Sequence, residues 1–265
     1  MNNKKEFPSG IQAFLLFVAL ILCEVLVGAV LQDMQGMLSL DIQERNALVT
    51  LLGNGLIFTF LMHFKGLTYP DLFHPSAGSA GATFFVLTVP ILMLVPASIL
   101  IIMQLMEVLV KIAPLSAWEE AAFRNMSSGS LAAVIATCVL APVLEEMLFR
   151  GIILRSFLNQ YPRWQAILGS SLLFGFAHLN IYQFFVALLI GVMLGWLYER
   201  TRSLIPCIAF HAFYNMGISV FEALYVDNLT AKVQPVSFFG WVISLLLAAG
   251  GMLALMRMLR KPRLA

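Results

Sequence analysis

Eight apolar stretches follow one another along this chain, each close to the length that crosses a lipid bilayer, and they decide what it can fold into. They run at about 10–32, 47–64, 82–110, 130–157, 164–180, 182–199, 203–225 and 236–257. A helix spans the roughly 30 Å hydrocarbon layer with about 20 mainly apolar residues. Composition agrees: 60% of the 265 residues are hydrophobic and 11% charged, against roughly 45–50% and about 25% in soluble proteins. An ordinary soluble domain is excluded. The polar connections are too short for a second unit, so residues 1–265 are expected to form a single membrane domain. The predicted fold class is all-α, a polytopic membrane protein of about eight transmembrane helices.

The net charge is only +2, and no basic patch with interleaved aromatics points to nucleic acid; the bilayer is the first partner implied. Cys23, Cys138 and Cys207 lie far apart in apolar runs and read as packing residues. The stretch Met1–Val30 is too long for a signal core, contains Glu24 and lacks a small-x-small cleavage site. It is expected to stay as the first helix.

Eight crossings with a cytoplasmic N-terminus collect twelve basic residues on the inner side: Lys4, Lys5, Lys65, Arg150, Arg155, Arg163, Arg200, Arg202, Arg257, Arg260, Lys261 and Arg263. The outer loops keep four, Arg45, Lys111, Arg124 and Lys232. That bias places both termini in the cytoplasm. Pro90 and Pro96 predict a kink or break in the third segment. Ala187, Gly191 and Gly195 form a small-xxx-small row that lets a neighbouring helix approach closely, and Trp164, Trp196 and Trp241 sit where interfacial anchors sit.

Ionisable groups inside a bilayer cost roughly 2.5–3.5 kcal/mol each on insertion scales and usually mark a site or pathway. Here the apolar segments hold Glu24, Glu107, Glu145, Glu146, Arg150, His178, His211 and Asn215. Glu146 and Arg150 are four apart and can pair on one helix face. Glu145 is turned about 100° away and lacks that partner, which suits a general acid or base. Pro142 should bend the helix nearby. The alternative is a structural knot of both glutamates with the arginine. His178, and His211 with Asn215 four residues on, could each serve as interhelical hydrogen-bonding glue. Depth argues for a site. At about 1.5 Å per residue, Glu145, His178, His211 and Asn215 all fall in one slab near mid-membrane, and independent glues need not share a depth.

In these residues the chain resembles the CAAX prenyl protease and bacteriocin-processing family of intramembrane proteases, which includes the bacterial Abi proteins. The shared marks are Glu145-Glu146 with Arg150, Phe174 with His178, and His211 with Asn215, on successive helices of a core spanning residues 128–225. The resemblance implies an endopeptidase acting on a membrane-associated or membrane-proximal protein or peptide. Glu145 and His178 would activate a water, His211 and Asn215 would hold the oxyanion, and Glu146 and Arg150 would support the helix geometry. It leaves a metal open: Glu145, His178 and His211 could supply three zinc ligands, although the His-Glu-x-x-His pair of a strong zinc motif is missing. A metal-free, glutamate-activated water is the preferred expectation. Compact loops and the lack of targeting signals suggest a bacterial cytoplasmic (inner) membrane. The competing functions are a non-proteolytic binding or immunity protein on the same fold, and a proton-coupled transporter, which would call for internal repeats that the sequence lacks. Glu24 and Glu107 receive no role.

Overall fold

A computed structural model describes residues 6–75, 78–126, 130–225 and 235–260. Lys4, Lys5, Lys232, Lys261 and Arg263 of the charge count, and the first residues of the expected core, lie outside the described residues. All eight apolar stretches are helical. They are α1 (Gly10–Asp33), α2 (Ile42–Lys65), α4 (Ala80–Ile112), α6 (Leu131–Gln160), α7 (Arg163–Phe176), α8 (Ile181–Thr201), α9 (Ile205–Tyr225) and α10 (Phe238–Met258). Three short helices lie between them among the described residues, a single turn at Gln35–Leu38, α3 (Tyr69–Phe73) and α5 (Ala117–Met126). No strand occurs among the described residues. The chain is an all-α polytopic membrane protein.

One of the eight helices is shorter than its apolar stretch. Seven of these helices are long and apolar enough to cross a membrane, whereas α7 has 14 residues, about 21 Å at 1.5 Å per residue. The expected segment 164–180 overran its helix. After Phe176 the chain turns through Ala177 and His178, and Leu179 takes a left-handed conformation (φ 55°). Asn180 then caps α8, its side chain accepting from the Gln183 N–H at 2.8 Å. An N-cap residue competes with continued helix by offering the backbone a different partner, so the apolar composition of Phe176–Leu179 does not extend α7.

The small-residue row on α8 meets α7 as an antiparallel seam. A Cβ at Gly195 would lie 3.0 Å from Ile167, and one at Gly191 3.1 Å from the Ser171 Cβ and 3.2 Å from Phe174. Farther along, Arg163 reaches Glu199 at 3.1 Å. The two helices therefore pack closely along most of α7. In α4, by contrast, Pro90 and Pro96 cause no break: the helix runs continuously over 33 residues and packs against α9 and α10.

One end of the bundle is basic and tightly tied. Arg155 donates to the Asp71 carbonyl at 2.9 Å, and the Leu204 N–H donates to the Phe73 carbonyl at 2.8 Å. Those bonds fix α3, whose Leu72 is fully buried. Thr68 caps α3 by accepting from the Asp71 N–H, and its hydroxyl donates to the Asp71 carboxylate at 2.6 Å, which holds that carboxyl below its ordinary range. The Pro8 carbonyl accepts from both Ser156 and Gln160, anchoring α1 to the same end of α6.

Because a side chain at Gly191 must push α7 and α8 apart, Gly191→Val is expected to destabilise the protein by about 1–3 kcal/mol, the cost of overpacking a filled seam. Thermal unfolding of the detergent-solubilised protein measures it.

Candidate active site

The site begins in the core helix α6, which is not a uniform α-helix. Two π-helical segments, Ala136–Leu140 and Met147–Leu154, flank a short α-helical stretch, Ala141–Glu146. π turns inside α-helices recur at functional sites. The first is matched to Pro142. In π register each N–H bonds five residues back, as Ala141 does to the Ala136 carbonyl. The next bond would run from residue 142 to Thr137, and proline has no N–H to give. Asn215 on α9 supplies the missing donor, its Nδ2 donating to the Thr137 carbonyl at 2.8 Å.

The stretch 141–146 presents its two glutamates in different directions, as adjacent positions about 100° apart must. Glu146 is fully buried. Its Oε1 accepts from Arg150 Nη1 at 2.9 Å and from His211 Nδ1 at 2.9 Å. Arg150, also fully buried, donates to the Gly191 carbonyl at 3.2 Å and lies over the Phe174 ring, 4.4 Å from its centroid. Phe174 in turn meets His178 and His211 edge-on, with ring centroids 5.3 and 5.8 Å away. One aromatic ring thus carries the guanidinium on its face and separates two imidazoles.

Glu145 keeps a 30% exposed side chain and looks out of this cluster. With His178 it lines a cavity of about 200 Å³, whose other wall comes from α1 and α2. His211 Nε2 stands 3.8 Å from Glu145 Oε2. The tautomer of His178 follows from its partner: Nδ1 lies 3.0 Å from the Phe174 carbonyl, which can only accept. Nδ1 therefore carries hydrogen, and Nε2 is the nitrogen left for chemistry.

Residues 127–217 match the family model of type II CAAX prenyl endopeptidase Rce1-like proteins. This stretch of the chain is similar to Rce1-like proteins. The matched span takes in Glu145, Glu146, Arg150, His178, His211 and Asn215 and leaves α1 to α5 and α10 outside it. It supports a CAAX-type intramembrane protease in general and a membrane-associated substrate. No curated protein and no solved structure matches the chain.

Within the Rce1-like core, the sequence-derived residues separate into two groups. Glu146, Arg150 and His211 interlock, while Glu145 and His178 face the cavity. Asn215 commits an amide N–H to the helix backbone. Among the described residues no three His, Cys, Asp or Glu side chains stand together as a group able to hold a metal ion. Glu107 is placed far from this chemistry, in an exposed 2.6 Å ion pair with Lys111. Sequence reasoning missed Asn54, which is 4% exposed and donates to Glu24 Oε1 at 3.0 Å on the opposite wall of the same cavity from Glu145. The signal was present: Gly53-Asn54-Gly55 puts an amide in an apolar segment between two residues that admit a close neighbour.

Removing Arg150 strands Glu146 as a buried charge, so Arg150→Met should cost about 3–5 kcal/mol of stability, read by unfolding in detergent. The π-segment pairing gives a double-mutant cycle. Asn215→Leu should cost about 1–3 kcal/mol by orphaning the Thr137 carbonyl. In a Pro142→Ala background, where residue 142 regains its N–H, that cost should shrink by roughly 1 kcal/mol. Equal costs in both backgrounds would dissociate Asn215 from Pro142.

Proposed function

We propose that this protein is an intramembrane endopeptidase that hydrolyses a peptide bond of a membrane-associated or membrane-proximal substrate with a water activated by Glu145 and His178. The observation that carries the reading is the division of labour between adjacent glutamates. Glu146 is consumed by Arg150 and His211, whereas Glu145 shares the cavity with His178. The cavity volume of about 200 Å³ compares with roughly 10–15 Å³ needed to hold one water on the same measure, so a peptide group and a water fit together.

In this mechanism Glu145 takes a proton from the water as the oxygen attacks the scissile carbonyl. His178, with Nδ1–H held by Phe174, orients that water through Nε2. His211 is turned by its bond to Glu146 so that Nε2 points toward Glu145, and as the imidazolium it donates to the developing oxyanion. The carboxylate of Glu146 stabilises that cation. Asn215 acts on the same charge through its second N–H while its first holds α6 in shape. A well-placed oxyanion donor is commonly worth about 10²–10³ in rate.

Purified protein in liposomes, given a fluorogenic peptide ending in a prenylated cysteine tail and an unprenylated membrane-spanning peptide, tests the reading. Wild type should cleave at least one. Glu145→Gln and His178→Ala should each lower that rate by about 10²–10⁴, the usual weight of a general acid–base group. Wild-type rates in both variants would sink the mechanism. Binding of the peptides without cleavage by wild type would favour a non-proteolytic capture protein.

A further inference from the structure

We infer that Glu24, on the first helix and outside the Rce1-like core, is a second catalytic carboxyl group, the acid that protonates the departing amine. The inference rests on the protease reading above.

The cavity is shared between two parts of the fold. Glu145 and His178 come from the core, and Glu24 and Asn54 face them from α1 and α2. Glu24 does not sit there by accident of packing. Asn54, itself buried, donates to Glu24 Oε1 at 3.0 Å and to the Thr50 carbonyl at 2.9 Å. This fixes the amide and leaves the second carboxyl oxygen of Glu24 to carry a proton. The approach of the helices depends on Gly53, where a Cβ would stand 2.6 Å from Glu24 Cγ and 3.3 Å from its Cα. A half-buried carboxyl in an apolar helix, steered by a buried amide and admitted by a glycine, is a costly arrangement that structure alone does not require.

The chemistry has a vacancy for it. Peptide hydrolysis needs one proton removed from water and one delivered to the leaving nitrogen. His178 has its N–H committed to the Phe174 carbonyl and offers an acceptor at Nε2. His211 has Nδ1–H committed to Glu146, and its outward N–H serves the oxyanion. Asn215 is no acid. Glu24 is the carboxyl group lining the cavity that these roles leave unused. The water oxygen forms the new C–O bond and gives its proton to Glu145. The C–N bond then breaks as Glu24 gives its proton to nitrogen. Transfer of the proton from Glu145 to Glu24 restores the pair, and the balance is amide plus water to acid plus amine.

A leaving-group comparison tests this. One substrate is the fluorogenic peptide cleaved by wild type; the other is its thioester analogue, in which sulfur replaces the scissile nitrogen. A thiolate leaves without a proton, its conjugate acid having a pKa of about 8.5, whereas an amine does not. Glu24→Gln keeps the shape and the oxygen that Asn54 bonds. It should lower the ratio of amide to thioester hydrolysis by about 10²-fold or more, and Glu24→Asp should restore part of that ratio. Glu145→Gln should depress both substrates together. An unchanged ratio in Glu24→Gln, with Glu145→Gln inactive, means that Glu145 returns the proton itself; the inference falls and the protease reading stands. A wild type that cleaves neither substrate removes both.

Discussion

Everything in the core is arranged around one buried ion pair. Glu146 and Arg150 lie four residues apart on the same helix, both without solvent exposure. Taking two charges out of water costs several kcal/mol per ion, and their mutual attraction repays this only when further hydrogen bonds complete the geometry. The completing partners come from three other helices: His211 from α9 on the carboxylate, the Gly191 carbonyl from α8 on the guanidinium, and the Phe174 ring of α7 beneath it. These contacts tie α7, α8 and α9 to α6, while Glu146 Oε2 and Arg150 Nε stay buried without a hydrogen-bond partner among the described residues. The absence of a side chain at Gly191 belongs to the same constraint, since its backbone must reach both Arg150 and α7.

The pair also orients the imidazoles. His211 can turn only one nitrogen toward Glu145 once the other is bonded to Glu146. His178 is held edge-on to the ring that supports Arg150. A stabilising cluster and a cavity-facing couple are therefore built from adjacent residues of one sequence motif. A uniform α-helix would have separated Glu145 from Glu146 equally well. The π segments on either side add what it lacks, a carbonyl at Thr137 for Asn215 and one at Phe149 that accepts from Ser170 at 2.8 Å. These bonds tie the distorted helix to its neighbours where its own ladder is altered.

The helices were legible because hydrocarbon demands length and apolarity, and both are written residue by residue. The limits of that reading are equally physical. Phe176–Leu179 is apolar enough to continue a helix, but Asn180 and the left-handed Leu179 end it, so length alone overestimated α7. The two prolines of α4 signal a break only if nothing packs beside them, and α9 and α10 do. The i,i+4 spacing made the Glu146–Arg150 contact visible, whereas the third partner, His211, lies 65 residues away and no local pattern joins it to Glu146. Asn215 looked like a free donor because the π register that orphans the Thr137 carbonyl is not encoded in any spacing rule.

Glu24 shows the same limit from the other side. In the sequence it is a lone acid in the first apolar segment, whereas Glu107 has Lys111 four residues on. Three-dimensional context separates them. Glu107 has a lysine one turn away and exposure enough for the two to ion-pair in solvent or at the interface. Glu24 has a buried amide from a different helix and faces Glu145 across a shared cavity. A surface ion pair is worth little and explains itself, while a carboxyl steered inward by a second helix requires a reason for being there. On the proposed reading the reason is the reaction assigned to this cavity, which extends the working site from the motif-bearing core to α1 and α2.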